Sequence, residues 1–558
     1  MKQKFLNFQI KLIKKPVAII GYNNAGKTNL LNAIKYGLYE SVREDTFDIK
    51  DFHNQDWNNL PFFELEFATC GLGDNKIEDN KFYKNTIKIN IENDSIKSVS
   101  DTCNCYGESS SYGKKWSIKQ KAPIYYINFH NIKNEISTQK TSWGNLKSFL
   151  GKHIDKLVKT DESMKERKDN FKDEISNATK KVLNGEEDKK ENNKTKLQNF
   201  IEKIQNNYKN NLRNTACKID FGLPDYEDIF LQMMFKIGLN GNDKNLIPID
   251  HFGDGYISMF VMAVIQAIAE TEEDDKCLFL FEEPESFLHE NHQEYFYKMV
   301  LCGLTEKGHQ VIYTTHSDKM IDMFDTKGII RLEHDEAKGT IKKYNKIQEP
   351  DNIGLNEYNS FIKNIEPNLN KILFSKKVIL VEGPNDLMVY NHVINKKVLG
   401  NIEESSDIEN KEKYAETYLN FHNISIIPHH GKTTALLLIK LCKWFEIDCF
   451  IITDLDLDDK ELVGKLKKYE TLEDMKKGNE YKNAENKPII TNNWNLINES
   501  GENNIHFNIK KLETVIGYEK DDKNPFQIWK HINKENFQIT EDLFSDKLEI
   551  FLGINKNS

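Results

Sequence analysis

No run of about 20 consecutive apolar residues occurs anywhere in the chain, so no segment reads as a membrane-spanning helix. The first residues, Met1 to Lys15, mix lysine and glutamine into a strand-like pattern that lacks the apolar centre of a secretion signal. The expectation is a cytoplasmic protein with no membrane partner. Proline and glycine are scarce, 12 and 28 of 558 residues, which excludes collagen-like and low-complexity chains. Positive charge is not in excess either: 77 lysines and arginines face 87 aspartates and glutamates, for a net charge of −10. That balance excludes a wholly basic, histone-like binder, so any contact with nucleic acid has to come from local basic surface. Cysteines are few, eight in all. Cys70, Cys217, Cys277, Cys302, Cys442 and Cys449 stand singly in mostly apolar surroundings, as reduced core thiols do. Cys103 and Cys105 form a lone Cys-x-Cys without a second pair or nearby histidines, and no zinc site is assigned to them.

What is present is the composition of a large globular protein, with 38% hydrophobic and 11% aromatic residues. At roughly 150 residues per domain it has room for about two to four domains. A strand over Pro16 to Ile20 runs directly into Gly21-Tyr22-Asn23-Asn24-Ala25-Gly26-Lys27-Thr28 and a helix-competent stretch from Asn29 to Leu38. This is the spacing of a phosphate-binding loop, in which glycines free the backbone amides to point inward, a lysine meets the outer phosphates and a hydroxyl meets magnesium. Alternation from Glu64 to Gln120 predicts a meander of short antiparallel strands, followed by a strand from Pro123 to Phe129. Lys152 to Asn211 is rich in Lys, Glu and Asn, with Ile154, Leu157, Leu197, Phe200, Ile201 and Ile204 at helical spacing, and reads as solvated helices forming an arm.

A second α/β section follows, with a helix from Tyr256 to Ala269, an apolar strand from Cys277 to Phe281, a helix near Asn291 to Cys302 and a strand from Val311 to Thr315. Continuous apolar strands alternating with helices predict a buried parallel sheet. The strand Cys277 to Phe281 delivers Glu282, Glu283, Pro284 and Glu285 to its C-terminal end, where open α/β sheets bind ligands. In this reading Glu282, at a position where Asp is usual, orients the magnesium shell and Glu283 polarises the attacking water. His316, at the end of its own strand, is placed to hydrogen-bond a γ-phosphate. Gly253-Asp254-Gly255 precedes a helix and offers amides to a nucleotide held by a second protomer. Together these elements resemble the ABC-type ATPases found in RecF, SMC and OLD (overcoming lysogenization defect) proteins, particularly in the phrase from Glu282 to His289. The resemblance implies ATP as cofactor, bound through Asn24, Gly26, Lys27, Thr28 and Asn29 with Glu282, Gly253 and Gly255. It further implies a sandwich of two subunits, hence a homodimer or higher homo-oligomer.

After a polar connector around Lys343 to Asn370, the α/β pattern restarts with strands Lys377 to Val381, Ile424 to Pro428 and Cys449 to Thr453. The first delivers Glu382 and Asp386, the last Asp454 and Asp456. In an extended chain, residues two apart share a face at roughly 6.5 Å, so Asp454 and Asp456 are expected to share a site for Mg2+ or Mn2+ while Leu455 points away. This pairing resembles the Toprim domain of topoisomerases, primases and OLD nucleases. Glu382 with Asp386, and Gly431-Lys432 after the second strand, match the OLD branch, with Glu513 as the family's late acidic residue. Lys520, Lys523 and Lys530 compete for its catalytic lysine, Lys523 being the candidate. His429 and His430 can reach the same cleft. The Asn-rich stretch from Asn492 to Asn504 is expected to be a loop.

The resemblance implies an α/β protein partitioned into a first ATPase half at 1–150, a helical insertion or dimerisation arm at 151–215, a second ATPase half at 216–345, a linker at 346–371 and a Toprim nuclease domain at 372–558. It implies a metal-dependent DNA endonuclease, ATP-dependent or ATP-regulated, in antiphage defence like the nuclease subunit of Gabija systems. Glu283, His316, Glu382, Asp454 and Lys523 are the expected catalytic residues, and Glu382, Asp386, Asp454, Asp456, Glu513 and Thr28 the metal ligands. No helicase motif is visible, so unwinding DNA calls for a separate helicase or other defence subunit. The alternative is a RecF-like or SMC-like ATP-driven DNA clamp or signalling scaffold whose acidic domain does not cut.

Overall fold

The computed structural model describes residues 15–39, 47, 49, 56–58, 63–68, 82–92, 95–106, 124–136, 196–212, 217–222, 234–239, 246–271, 277–335, 339–343, 356–402, 408–518, 520 and 523–554. The chain divides into two compact units, Met1–Ile321 with Asp325–Lys342, and Asp322–Phe324 with Lys343–Ser558.

In the first unit the strands are β1 (Val17–Gly21), β2 (Phe63–Ala68), β3 (Phe82–Glu92), β4 (Ser95–Tyr106), β5 (Ile124–Asn128), β6 (Cys217–Gly222), β7 (Met234–Leu239), β8 (Ile247–Pro248), β9 (Leu278–Glu282), β10 (Gln310–Thr314), β11 (Ile329–Asp335) and β12 (Gly339–Lys342). Six of them form one sheet in the order β12-β11-β1-β10-β9-β5, parallel except for β12. Every residue of β1 and β9 is buried, as a strand covered on both faces requires. The register aligns Asn128 with Glu282 and Glu282 with Thr314, which puts three strand ends in one row. The expected meander is the antiparallel sheet β2-β3-β4, and β6-β7-β8 forms another three-stranded sheet.

Helix Asp254–Thr271 is apolar around most of its circumference, and Ile257 and Met259 to Ile265 lie at or near zero exposure. It packs against helix Lys196–Leu212, where Tyr208 meets Phe260 edge-on at 6.1 Å. That second helix is the last part of the expected arm, and its Phe200, Ile201, Ile204 and Tyr208 are buried. The rest of the arm, 152–195, lies outside the described residues.

The second unit holds β13 (Lys377–Val381), β14 (Ile424–Pro428), β15 (Asp448–Asp454) and β16 (Ile505–Asn508), all parallel, in the order β14-β13-β15-β16. Helices Pro384–Ile402 and Lys432–Trp444 follow β13 and β14, and Val389, Tyr390, Val393, Phe450 and Ile452 are buried in its core. One expectation is corrected here. The stretch from Asn492 to Asn504 is not a loop: helix Lys487–Ser500 covers most of it and buries Ile490, Trp494, Leu496 and Ile497. Within the polar connector, Asn356–Ile365 is helical and Ile362 and Leu369 are buried. Among the described residues no helix is long and apolar enough to cross a membrane.

Candidate functional site

The turn after β1 holds two backbone conformations that side chains resist. Gly26 sits at φ +92°, and a Cβ there would lie 2.4 Å from Thr340 Oγ1. At Gly21 it would lie 2.3 Å from the Leu332 carbonyl oxygen. Asn24 adopts φ +66° within the same turn. Lys27 begins helix Lys27–Tyr39, is 6% exposed, and donates from Nζ to the carbonyls of Gly21 and Tyr22 at 3.1 Å each. Burial lowers the pKa of its ammonium, opposed by the charges of Glu283 and Glu285. Thr28, Asn29 and Asn24 are exposed on the rim. A buried cation below an open rim of polar groups suits a phosphate chain.

At the ends of β9 and β10 the sequence-derived acids acquire partners. Glu282 is 5% exposed, and its Oε2 accepts from the Tyr126 hydroxyl at 2.6 Å. Glu283 stands at φ +47°, with its amide donating to Thr314. Its carboxylate lies between two histidines, 2.6 Å from His130 Nε2 and 3.3 Å from His316 Nε2. The hydrogen bond with His316 leads the effects that hold its pKa below the ordinary carboxylate value. Glu285 is buried, accepts from the His316 amide at 2.6 Å, and has its pKa raised by burial. The structure thus gathers Glu282, Glu283 and His316 at adjoining strand ends, and it adds His130 and Tyr126 from β5 and the turn after it. The Gly253 to Gly255 turn opens helix Asp254–Thr271, where a Cβ on Gly255 would lie 3.0 Å from the Phe287 carbonyl. Asp254 pairs with Lys133 at 3.2 Å.

In the second unit, Glu382 follows β13 and its Oε2 accepts from Thr453 Oγ1 at 2.8 Å and from the Asp454 amide at 2.9 Å. Asp454 Oδ1 accepts from the Leu512 amide at 2.9 Å and from Asn508 Nδ2 at 3.2 Å. Asp386, in the first turn of helix Pro384–Ile402, is 8% exposed, and its Oδ1 is buried without a hydrogen-bond partner. Burial, reinforced by Asp454 and Glu382, pushes the Asp386 carboxyl up to about 8. Burial and the Glu382 charge take Asp454 to about 7. Glu513 is buried, with Oε2 unpartnered and Oε1 3.3 Å from Lys523 Nζ.

Asp456 departs from expectation. β15 ends at Asp454, Asp456 sits at φ +62°, and the two-residue alternation of an extended strand does not reach it. Its carboxylate pairs with Lys432 Nζ at 2.5 Å, while Leu455 is buried. Of the three competing lysines, Lys523 is the one at the carboxylates; Lys520 is exposed and Lys530 lies 4.4 Å over the Phe526 ring. His429 is fully buried, and burial lowers its pKa to about 4; His430 Nε2 lies 3.4 Å from Glu366.

Among the described residues no three His, Cys, Asp or Glu side chains already converge on one metal position. The donor set nonetheless fits a hard cation. Glu382, Asp386, Asp454 and Glu513 are all carboxylates, two of them with a buried oxygen lacking a partner, and two with pKa values raised by burial and by neighbouring carboxylates.

The family model described as AAA ATPase domain matches residues 3–321. The chain belongs to this family. A second model, described as "Overcoming lysogenization defect protein-like, TOPRIM domain", matches residues 373–456, so the carboxylates after β13 and β15 lie in an OLD-like TOPRIM domain. Among curated proteins the chain is 26% identical over 248 residues to the OLD nuclease of Thermus scotoductus, covering 43% of this chain and 42% of that protein. It is 24% identical over 415 residues to the Endonuclease GajA of Bacillus cereus, covering 70% of this chain and 66% of that protein. Neither match spans two thirds of the relative's own length. Among solved structures it is similar to an SMC head bound to the C-winged helix domain of ScpA, with TM-score 0.40 and 15% identity over 59% of this chain and 90% of that one.

No sequence signal marked His130 or Tyr126 as partners of Glu283 and Glu282, although both lie on or just after an apolar strand. The row formed by β5, β9 and β10 makes them neighbours.

Proposed function

We propose that the protein is a DNA endonuclease of the OLD kind, dependent on Mg2+ or Mn2+, whose cutting is driven or regulated by ATP in the AAA ATPase unit, and that it serves antiphage defence in the cytoplasm. The observation that carries this reading is the cluster of carboxylates around the ends of parallel strands β13 and β15, Glu382 and Asp454 half-buried and Asp386 and Glu513 buried, with Asp386 and Asp454 raised to about 8 and about 7. Clustered acids of this kind destabilise one another unless a cation offsets them. The names of the two nuclease relatives support the substrate class.

A divalent cation held by Glu382, Asp386, Asp454 and Glu513 would supply polarisation of the phosphodiester and a nucleophilic water. The chain's own residues do the rest. Thr453 and the Asp454 amide fix the Glu382 carboxylate, and Leu512 and Asn508 fix that of Asp454. Lys523 brings an ammonium to within 3.3 Å of Glu513, at the rim of the cluster, where it would offset charge on a leaving oxygen. In the ATPase unit, Lys27 would hold the outer phosphates of ATP, Thr28 and Glu282 would hold a magnesium ion, and Glu283 and His316 would orient water and the γ-phosphate. The Gly253 to Gly255 turn serves a nucleotide on a second copy, so the working form is a homodimer or larger, with a separate helicase or other defence subunit supplying any unwinding.

A second reading, an ATP-driven DNA clamp whose TOPRIM domain does not cut, is favoured by the ion pairs that already occupy Asp456 and Glu513. Incubating purified protein with plasmid and Mg2+ or Mn2+, with and without ATP, separates the two. Nicking or linearisation is expected, lost in Glu382→Ala and Asp454→Ala with ATP hydrolysis retained. Parent-level cutting by the double variant overturns the nuclease assignment.

A further inference from the structure

Next to the carboxylates stands a short helix, Pro525–Ile532, whose surface is unlike that of a solvated helix. Its buried side is formed by Ile528 and Ile532. Its open side carries Phe526, 57% exposed, and Trp529, 47% exposed, three residues apart and so on one face. The two rings are parallel to within 6°, with centroids 6.1 Å apart. Lys530 holds its ammonium 4.4 Å from the Phe526 centroid. Burial is the usual fate of such rings, and a parallel exposed pair with a cation beside it has the make-up of a surface on which nucleobases stack.

The position of this pair ties it to the TOPRIM site. Asn524 caps the helix by accepting from the Phe526 amide at 2.9 Å. The residue before it, Lys523, reaches Glu513 with its side chain and accepts from Asn385 Nδ2 at 3.2 Å with its carbonyl. Asn385 lies in the first turn of helix Pro384–Ile402, next to Asp386. One short segment therefore connects an ammonium at the carboxylates to two exposed rings three and six residues further along the chain. Paired bases in a duplex keep their faces stacked on each other, so an aromatic pair gains nothing from intact double helix. We infer that Phe526 and Trp529 form a stacking platform for unpaired bases of DNA, so that the TOPRIM unit engages single-stranded or locally opened DNA in preference to closed duplex. This rests on the nuclease reading for its substrate, and extends it by naming the strand state.

The test measures binding by fluorescence anisotropy, using the full chain with a chelator present so that no cutting occurs. The probes are a labelled single-stranded oligonucleotide, the same sequence as duplex, and the same sequence as RNA. The parent is expected to bind single-stranded DNA more tightly than duplex. Base stacking on one aromatic ring contributes about fivefold to about 150-fold in affinity. Phe526→Ala and Trp529→Ala should each lower single-strand affinity by a factor in that range, with duplex affinity unchanged. Trp529→Phe, which keeps a ring, should restore most of the loss, an outcome that a merely structural role for Trp529 does not produce. Equal affinities of the parent and the double alanine variant for single-stranded DNA would overturn the platform, and so would equal losses for single strand and duplex. Tighter binding of the RNA would overturn its assignment to DNA. Cutting by Glu382→Ala tests the nuclease reading separately, because that variant keeps both rings.

Discussion

Replacing Asp386 by asparagine keeps the shape of a side chain that is 8% exposed and removes its titration. In the folded parent, burial first and then the charges of Asp454 and Glu382 raise this carboxyl from 3.8 to about 8. Between those values the unfolded chain has released the proton while the folded chain still holds it, so the folded state binds more protons and loses stability as pH rises. The loss is absent below about pH 4 and complete above about pH 8. At 1.36 kcal/mol per unit of pKa, the rise from pH 6.5 to pH 8.5 costs the metal-free protein about 2 kcal/mol at this one group. His429 titrates outside the window, its pKa being lowered from 6.5 to about 4; Asp454, raised to about 7, titrates inside it in both proteins, so it is the difference between parent and Asp386→Asn that reports Asp386. Thermal unfolding in a chelator at pH 6.5 and 8.5 measures the difference. For a unit of about 200 residues, about 2 kcal/mol corresponds to about 4–8 °C in midpoint. The parent should lose that much more than Asp386→Asn across the interval. Parallel pH dependence in the two proteins would refute the argument that the carboxylates are crowded into protonation.

Lys27→Ala removes the buried ammonium beneath the loop; ATP affinity measured by calorimetry should fall at least about tenfold, since hydrogen bonds to charged groups contribute about 1.5–3 kcal/mol. Glu283→Gln keeps the bulk of the side chain held by His130 and His316 but not its charge, and single-turnover hydrolysis should slow by about 10²-fold to 10⁴-fold while ATP still binds. A slow, tightly binding Glu282→Gln in its place would exchange the roles of the two acids. Light scattering with ATP should find at least two chains per particle, and a monomer at every concentration would remove the sandwich.

Much of the site was legible because its residues follow strands whose apolar runs are unmistakable. Glycines at 21 and 26 around a strand-to-helix turn, acids after Phe281, and acids after Val381 and Thr453 are local patterns, and local patterns survive in a sequence read without its fold. His130 and Tyr126 were not legible in the same way. Tyr126 is 156 residues from Glu282, and only the pairing of β5 with β9 brings them together. The conformation of Asp456 differs for a local reason: the alternation was extended two residues past a strand that ends at Asp454. The helix at Lys487–Ser500 was missed because asparagine is a weak helix former. There tertiary packing of Ile490, Trp494 and Ile497 outweighs that propensity, and Asn493 is held by its own bond to the Leu455 carbonyl at 2.9 Å.

The strand order of the ATPase sheet has a consequence for which parts of its site can loosen. Among the described residues β5 is the outermost strand, paired with β9, whereas β1 and β9 each pair on both sides. Releasing β5 breaks one ladder, and releasing β1 or β9 breaks two. The edge that carries Tyr126 and leads into His130 can therefore open at lower cost than the strands that carry the phosphate loop and the acids, so Glu282 and Glu283 can lose these partners while their own strand stays paired.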